Sequence, residues 1–81
     1  MQITVRLFAT LRQEAGWAKR QMTLPEGATL DDLLAALAAD ESGLALTDRS
    51  AYAAVNREYA QRGRPLQDGD VVALFPPVSG G

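Results

Sequence analysis

The 81-residue sequence contains neither cysteine nor histidine. Without cysteine, disulfides, thiolate metal sites, cysteine-ligated iron–sulfur clusters and thiol nucleophiles are excluded. Without histidine, the commonest general base near neutral pH and the commonest metal ligand are missing as well. Charge is nearly balanced, eight Lys and Arg against ten Asp and Glu, for a net of -2. A nucleic-acid binder usually displays a basic face, and this balance argues against one. Arg57, Arg62 and Arg64 do gather locally, but Glu58, Asp68 and Asp70 lie among them. No apolar run approaches the roughly 20 residues needed to cross a bilayer. The chain opens on a strand-like Met1-Gln2-Ile3-Thr4-Val5, without a basic segment and apolar signal core. The expectation is a cytoplasmic protein that engages neither nucleic acid nor membrane and holds no metal or cofactor of its own.

What is present suffices for one core. Hydrophobic residues make up 47% of the chain, and residues 1–81 are expected to form a single domain. Such a chain buries only about 60% of its unfolded surface, so its stability margin is expected to be modest. Ile3, Val5 and Leu7 alternate with Gln2, Thr4 and Arg6, the period-two pattern of a half-buried strand. Thr10-Leu11-Arg12-Gln13 has the spacing of a capping box, and Gly16 can stop the turn that follows. Trp17 to Leu24 reads as a second strand, with Ala18, Arg20, Met22 and Leu24 on one face, before a turn at Pro25-Glu26-Gly27. The clearest helix starts at the N-cap Thr29, carries Asp31 and Asp32 in its first turn, and repeats Leu30, Leu33, Leu34, Leu37 and Ala38 along one face. Its pattern fades by 40–43, and 42–50 reads as a loop.

A third strand is expected from Ala51 to Val55, turning at Asn56-Arg57 into a short piece around Glu58-Tyr59-Ala60. Asp68-Gly69-Asp70 turns into a last strand, Val71 to Phe75, so apolar that it reads as central or covered on both sides. Pro76-Pro77 ends it. The order β, β, α, β, short β, β asks one helix to cover one face of a small mixed sheet. It predicts an α+β β-grasp fold, with the first two strands antiparallel and the last strand beside the first.

Within the folded body the candidates for chemistry are weak. Capping accounts for Asp31-Asp32, and turn geometry for Asp68 and Asp70. Tyr52 and Tyr59 read as strand residues packing on the sheet, and Trp17 as the edge of the core. The tail, residues 76–81, differs. After a stiff Pro-Pro segment the sequence runs Val78-Ser79-Gly80-Gly81. Four extended residues reach about 13 Å, enough to thread a terminal carboxylate into a partner's buried site. Glycine has no Cβ, so Gly80-Gly81 can pass a narrow channel and present an unhindered carbonyl. The ionised carboxylate of Gly81 is a poor electrophile. It needs conversion to a mixed anhydride such as an acyl-adenylate by an ATP-using partner, after which a sulfur donor could displace AMP and leave a thiocarboxylate. No internal thiol exists to intercept that intermediate.

These residues carry a resemblance. Val5-Arg6-Leu7-Phe8-Ala9 with Leu11-Arg12 and Gly16, the leucine-rich helix, Ala54-Val55-Asn56, Leu66-Gln67-Asp68-Gly69-Asp70 and above all Leu74-Phe75-Pro76-Pro77-Val78-Ser79-Gly80-Gly81 resemble the small subunits of molybdopterin synthase, ubiquitin-like sulfur carriers of the β-grasp class. A bare Gly-Gly end is shared with carriers for thiamine, cysteine and tRNA thiolation and with ubiquitin-like protein modifiers, which remain alternatives. The resemblance implies that Gly81 is adenylated by an adenylyltransferase related to ubiquitin-activating enzymes, with ATP consumed there. A sulfurtransferase would supply the sulfur. The tail (Ser79, Gly80, Gly81) would then enter the large subunit, whose own groups are expected to build the pocket where a cyclic pterin monophosphate gains its dithiolene. Phe8, Phe75, Pro76, Pro77 and Val78 are the docking candidates, with domain core the competing role for the two phenylalanines. Arg12 is a candidate for pairing with a partner's acid, against a plain solvated arginine.

Overall fold

The computed structural model describes residues 1–40 and 52–76. They form β1 (Gln2–Leu7), α1 (Ala9–Ala15), β2 (Lys19–Thr23), α2 (Leu30–Asp40), β3 (Tyr52–Val55), β4 (Glu58–Tyr59) and β5 (Val71–Phe75). The five strands make one mixed sheet in the order β2-β1-β5-β3-β4. β1 pairs antiparallel with β2 and parallel with β5, while β5 pairs antiparallel with β3. This is the β-grasp arrangement expected from the element order.

The alternation in β1 sets which face is buried. Ile3, Val5 and Leu7 lie inside, opposite Val72 and Leu74 of β5, and against Leu30, Leu33, Leu34 and Leu37 of α2. Ala53 and Val55 of β3 extend the same face. Each fully buried aliphatic side chain contributes about 1.5–3 kcal/mol, and one two-layer core gathers all of them.

Helix α2 begins as its sequence dictates. The Thr29 hydroxyl accepts from the Asp32 amide at 3.3 Å, and the Asp32 carboxylate accepts from the Thr29 amide at 2.9 Å, a reciprocal cap. The amides of Leu30 and Asp31 donate to the carbonyls of Arg64 and Arg62. The first orphan donors of the helix are thus satisfied, and the 62–64 segment is tied to it. Arg62 and Arg64 further pair with Asp31 at 3.7 Å and with Glu58 at 3.8 Å, so two of the three clustered arginines face acids, of which Glu58 was one the sequence placed among them.

Several expectations need correction. The capping box at Thr10 does not form. Helix α1 starts two residues earlier than that box requires, at Ala9, and its N-cap is Phe8, which has extended backbone and no side-chain cap bond. Phe8 is still held in the sheet, its amide donating to the Leu74 carbonyl. The chain therefore swings directly from strand into helix, through Ala9 at φ 52, and Thr10 is already inside the first turn. Gly16 does stop the helix, in the left-handed region at φ 83, its amide donating to the Arg12 carbonyl. Strand β2 is shorter than read: Arg20, Met22 and Leu24 turn inward, whereas Ala18 lies before the strand and is exposed. In the next turn Gly27, at φ 86, takes the third position, closed by the Ala28 amide on the Pro25 carbonyl. Trp17 sits at the core edge as expected, with the Arg20 guanidinium 4.4 Å above its ring. The 42–50 loop and Ala51 lie outside the described residues. No helix among the described residues is long and apolar enough to cross a membrane.

Candidate functional site

Helix α2 covers one face of the sheet, and the register places a second set of side chains on the other. Arg6 stands opposite Ala73, Ala54 opposite both Ala73 and Tyr59, and Tyr52 opposite Phe75. Strand β5 is central, as its apolar run suggested, but only Val72 and Leu74 are buried. Val71, Ala73 and Phe75 point away from α2, so the run is apolar on both faces while only one is packed. Tyr52 and Tyr59 do not pack on the sheet as expected. They fall on this open face and are 50% and 82% exposed.

The open face has an aromatic pole. Phe8 and Phe75 stack with ring centroids 4.9 Å apart and planes 17° from parallel. The stack follows from topology: β1 and β5 run parallel, so their ends reach the same edge, and Phe8 and Phe75 lie just beyond the paired Leu7 and Leu74. Both rings are half-buried and outside the main core cluster. The Arg6 guanidinium lies 5.3 Å from the Phe8 ring centre, a distance suited to a cation–π contact. Beside the stack runs an open groove of about 560 Å³, floored by Ala54, Val71 and Ala73. Arg6, Phe8 and Phe75 flank one side, and Asn56, Arg57 and Tyr59 the other.

The far wall is braced by polar bonds. The Asn56 side chain accepts from the Val71 amide at 3.0 Å and donates to the Asp70 carboxylate at 2.9 Å. The other Asp70 oxygen accepts from the Gln67 amide at 2.8 Å. Asp68 similarly accepts from the Gln2 amide at 2.6 Å. Both acids are therefore turn-builders, the role turn geometry assigned them.

Of the docking candidates named from sequence, Phe8, Phe75 and Pro76 come together at the aromatic pole, with Pro76 following the last residue of β5. Arg12 stands apart, exposed on α1 and not part of the groove lining. Pro77, Val78, Ser79, Gly80 and Gly81 lie outside the described residues. Sequence reasoning missed Arg6, Arg57, Tyr52 and Tyr59 as groove and face residues. The available signal was alternation itself: Arg6 is out of phase with Ile3, Val5 and Leu7, hence on the uncovered side.

Comparison with known proteins agrees with this architecture. The chain is 41% identical over 83 residues to a molybdopterin synthase sulfur carrier subunit of Chlamydomonas reinhardtii, with both chains fully covered. It is 35% identical over 92 residues to small archaeal modifier protein 3 of Haloferax volcanii, again with full coverage of both. Among solved structures, it superposes with a TM-score of 0.70 and 28% identity, over the whole of both chains, on one described as a protein–protein complex of subunits 1 and 2 of molybdopterin-converting factor from Helicobacter pylori. A model of the ThiS family matches residues 5–81. With a family match over nearly its whole length and full-length relatives at this identity, the chain belongs to the ThiS family.

Proposed function

We propose that this protein is the sulfur carrier and small subunit of a molybdopterin synthase. The observation that carries the reading is the shared pole of the sheet: the Phe8–Phe75 stack lies where β5 gives way to Pro76 and the Gly-Gly tail. An apolar patch at the root of a reactive arm lets one docking event both seat the body and aim the tail. The pathway is supported by the full-length relative named as a molybdopterin synthase sulfur carrier subunit.

In this reading the Gly81 carboxylate attacks the α-phosphorus of ATP on a ubiquitin-activating-like adenylyltransferase. Pyrophosphate leaves and an acyl-adenylate remains. The persulfide of a sulfurtransferase then attacks the acyl carbon, AMP leaves, and a thiol reductant cleaves the resulting acyl disulfide to yield the thiocarboxylate. The loaded tail enters the large subunit and gives its sulfur to cyclic pyranopterin monophosphate toward the dithiolene, with hydrolysis restoring the carboxylate. This chain supplies the nucleophile and its delivery, and the catalytic pocket belongs to the large subunit of a heterotetramer in the cytoplasm. Such a carrier needs no metal or cofactor of its own. Phe8, Phe75, Pro76, Pro77 and Val78 form the docking surface, and Arg12 stays available to the activating partner.

The test is an intact mass spectrum after incubation with the activating enzyme, ATP and sulfide, followed by transfer to the pterin precursor in the large subunit. Oxygen-to-sulfur exchange at the last residue is the expected result. Appending one alanine after Gly81 should abolish transfer while leaving the fold intact, and retained turnover would overturn the reading. The likeness to a small archaeal modifier protein favours a second reading, conjugation to lysines. It predicts high-mass adducts that vanish when Gly81 is deleted.

A further inference from the structure

The turn between β3 and β4 holds an arginine where the backbone asks for glycine. Val55 pairs with Glu58, so the hairpin has a two-residue loop, and both loop residues have positive φ, 52 for Asn56 and 73 for Arg57. A loop with that pair of angles is the tight type that favours Asn-Gly. Asn56 meets the first preference, but Arg57 occupies the second position, in a conformation disfavoured for any residue with a Cβ. The Asn56 bonds to Asp70 and Val71 hold the loop in this shape.

Among the described residues, nothing compensates for that arginine. Arg57 is exposed and, among the described residues, no carboxylate pairs with it. Its neighbours are engaged elsewhere, Glu58 with Arg64 and Asp70 with Asn56 and Gln67. What the side chain does is line the groove, across from Arg6. Among the described residues the groove lining therefore carries two positive charges and no negative one, in a chain whose net charge is -2.

Resting on the synthase reading above, we infer that Arg57, with Arg6 across the groove, sets partner specificity. The two guanidinium groups bracket the apolar floor and aromatic stack, and they bind carboxylates that flank an apolar patch on the large subunit. A guanidinium meets a carboxylate through two parallel hydrogen bonds, so the pair fixes orientation as well as adding attraction. The strained turn holds Arg57 in place before the partner arrives. A glycine there would relax the backbone and lose the contact.

The experiment titrates the large molybdopterin synthase subunit of the same organism with wild type, Arg57→Gly and Arg57→Lys at low and high salt, with a thermal melt of each carrier. Arg57→Gly should bind roughly 5- to 20-fold more weakly at low salt, with a shallower salt dependence. Its melting midpoint should equal or exceed that of wild type, because glycine suits the turn. Arg57→Lys keeps the charge but not the two parallel hydrogen bonds, so it should retain the salt dependence with an affinity between those of wild type and Arg57→Gly. An Arg57→Gly variant that binds like wild type at both salt levels overturns the inference, as does one that melts lower, since the side chain would then serve the fold. Carriers that dimerise through this face rather than bind the large subunit overturn it too. Wild type that fails to bind the large subunit at all removes the docking reading itself.

Discussion

Replacing Phe75 with aspartate separates the two roles a half-buried aromatic can play. The ring stacks on Phe8 at 4.9 Å but lies on the face that α2 leaves uncovered. Its removal should cost about 0.5–1.5 kcal/mol for the aromatic pair, about 1 for apolar area already half in water, and up to about 1 for a poor strand residue. The fold as a whole is stabilised by about 4–12 kcal/mol at the usual 0.05–0.15 per residue. A loss of about 1.5–3.5 kcal/mol therefore leaves the variant predominantly folded, with a lower urea midpoint and an unchanged slope. Docking should suffer far more. An aromatic anchor at the centre of an interface contributes at least about 2 kcal/mol, and an aspartate there must also shed its water, so affinity for the large subunit should fall at least about 30-fold. Urea denaturation and calorimetric titration of the same preparation read the two effects side by side, with Phe75→Leu as an apolar control that keeps part of the affinity. A Phe75→Asp protein that is unfolded without denaturant would place the ring in the core. One that binds normally would show that the aromatic pole is not the docking surface.

Two further outcomes test the local physics. Asn56→Ala should destabilise by about 2–4 kcal/mol, losing two side-chain hydrogen bonds and asparagine's tolerance of φ 52, whereas Asn56→Gly loses the same bonds but removes the Cβ, and should sit about 1 kcal/mol above it in urea melts; equal losses would rule out backbone strain at this turn. Gly16→Ala should cost about 1–2 kcal/mol although an added Cβ would meet no atom within 4 Å, because only the left-handed φ of 83 resists it; a neutral result by thermal melt would remove the backbone as the reason glycine ends α1.

Much of the fold could be read where a residue type has a single physical use. The Ile3, Val5, Leu7 alternation fixed the inner face of β1, and Thr29 with Asp32 marked the start of α2, because these patterns have few structural equivalents. Thr10 misled because its capping spacing competes with a β-bond: the Phe8 amide stays committed to Leu74, and the helix begins before threonine can cap it. The run Val71 to Phe75 was ambiguous in another way. An apolar strand looks the same whether its second face meets another layer or awaits a partner, so Tyr52 and Tyr59 were assigned to packing that nothing supplies. The aromatic pole depends on the parallel pairing of β1 with β5, which brings Phe8 beside Phe75 from opposite ends of the sequence. Arg57 could have been noticed as an arginine following asparagine in a two-residue loop. Its meaning emerges only once Glu58 and Asp70 are seen to be engaged elsewhere.

The middle of the sheet is occupied by the strand that is synthesised last of the five. Until β5 clears the ribosome, the β1–β2 and β3–β4 pairs have nothing between them, and Thr4, already opposite Gln21, must wait for Val71 on its other side. Closure of nearly the whole polypeptide is then the step that makes the domain, which slows folding relative to a chain of local contacts. It also means that a product terminated before β5 cannot persist as a well-folded decoy competing for partners.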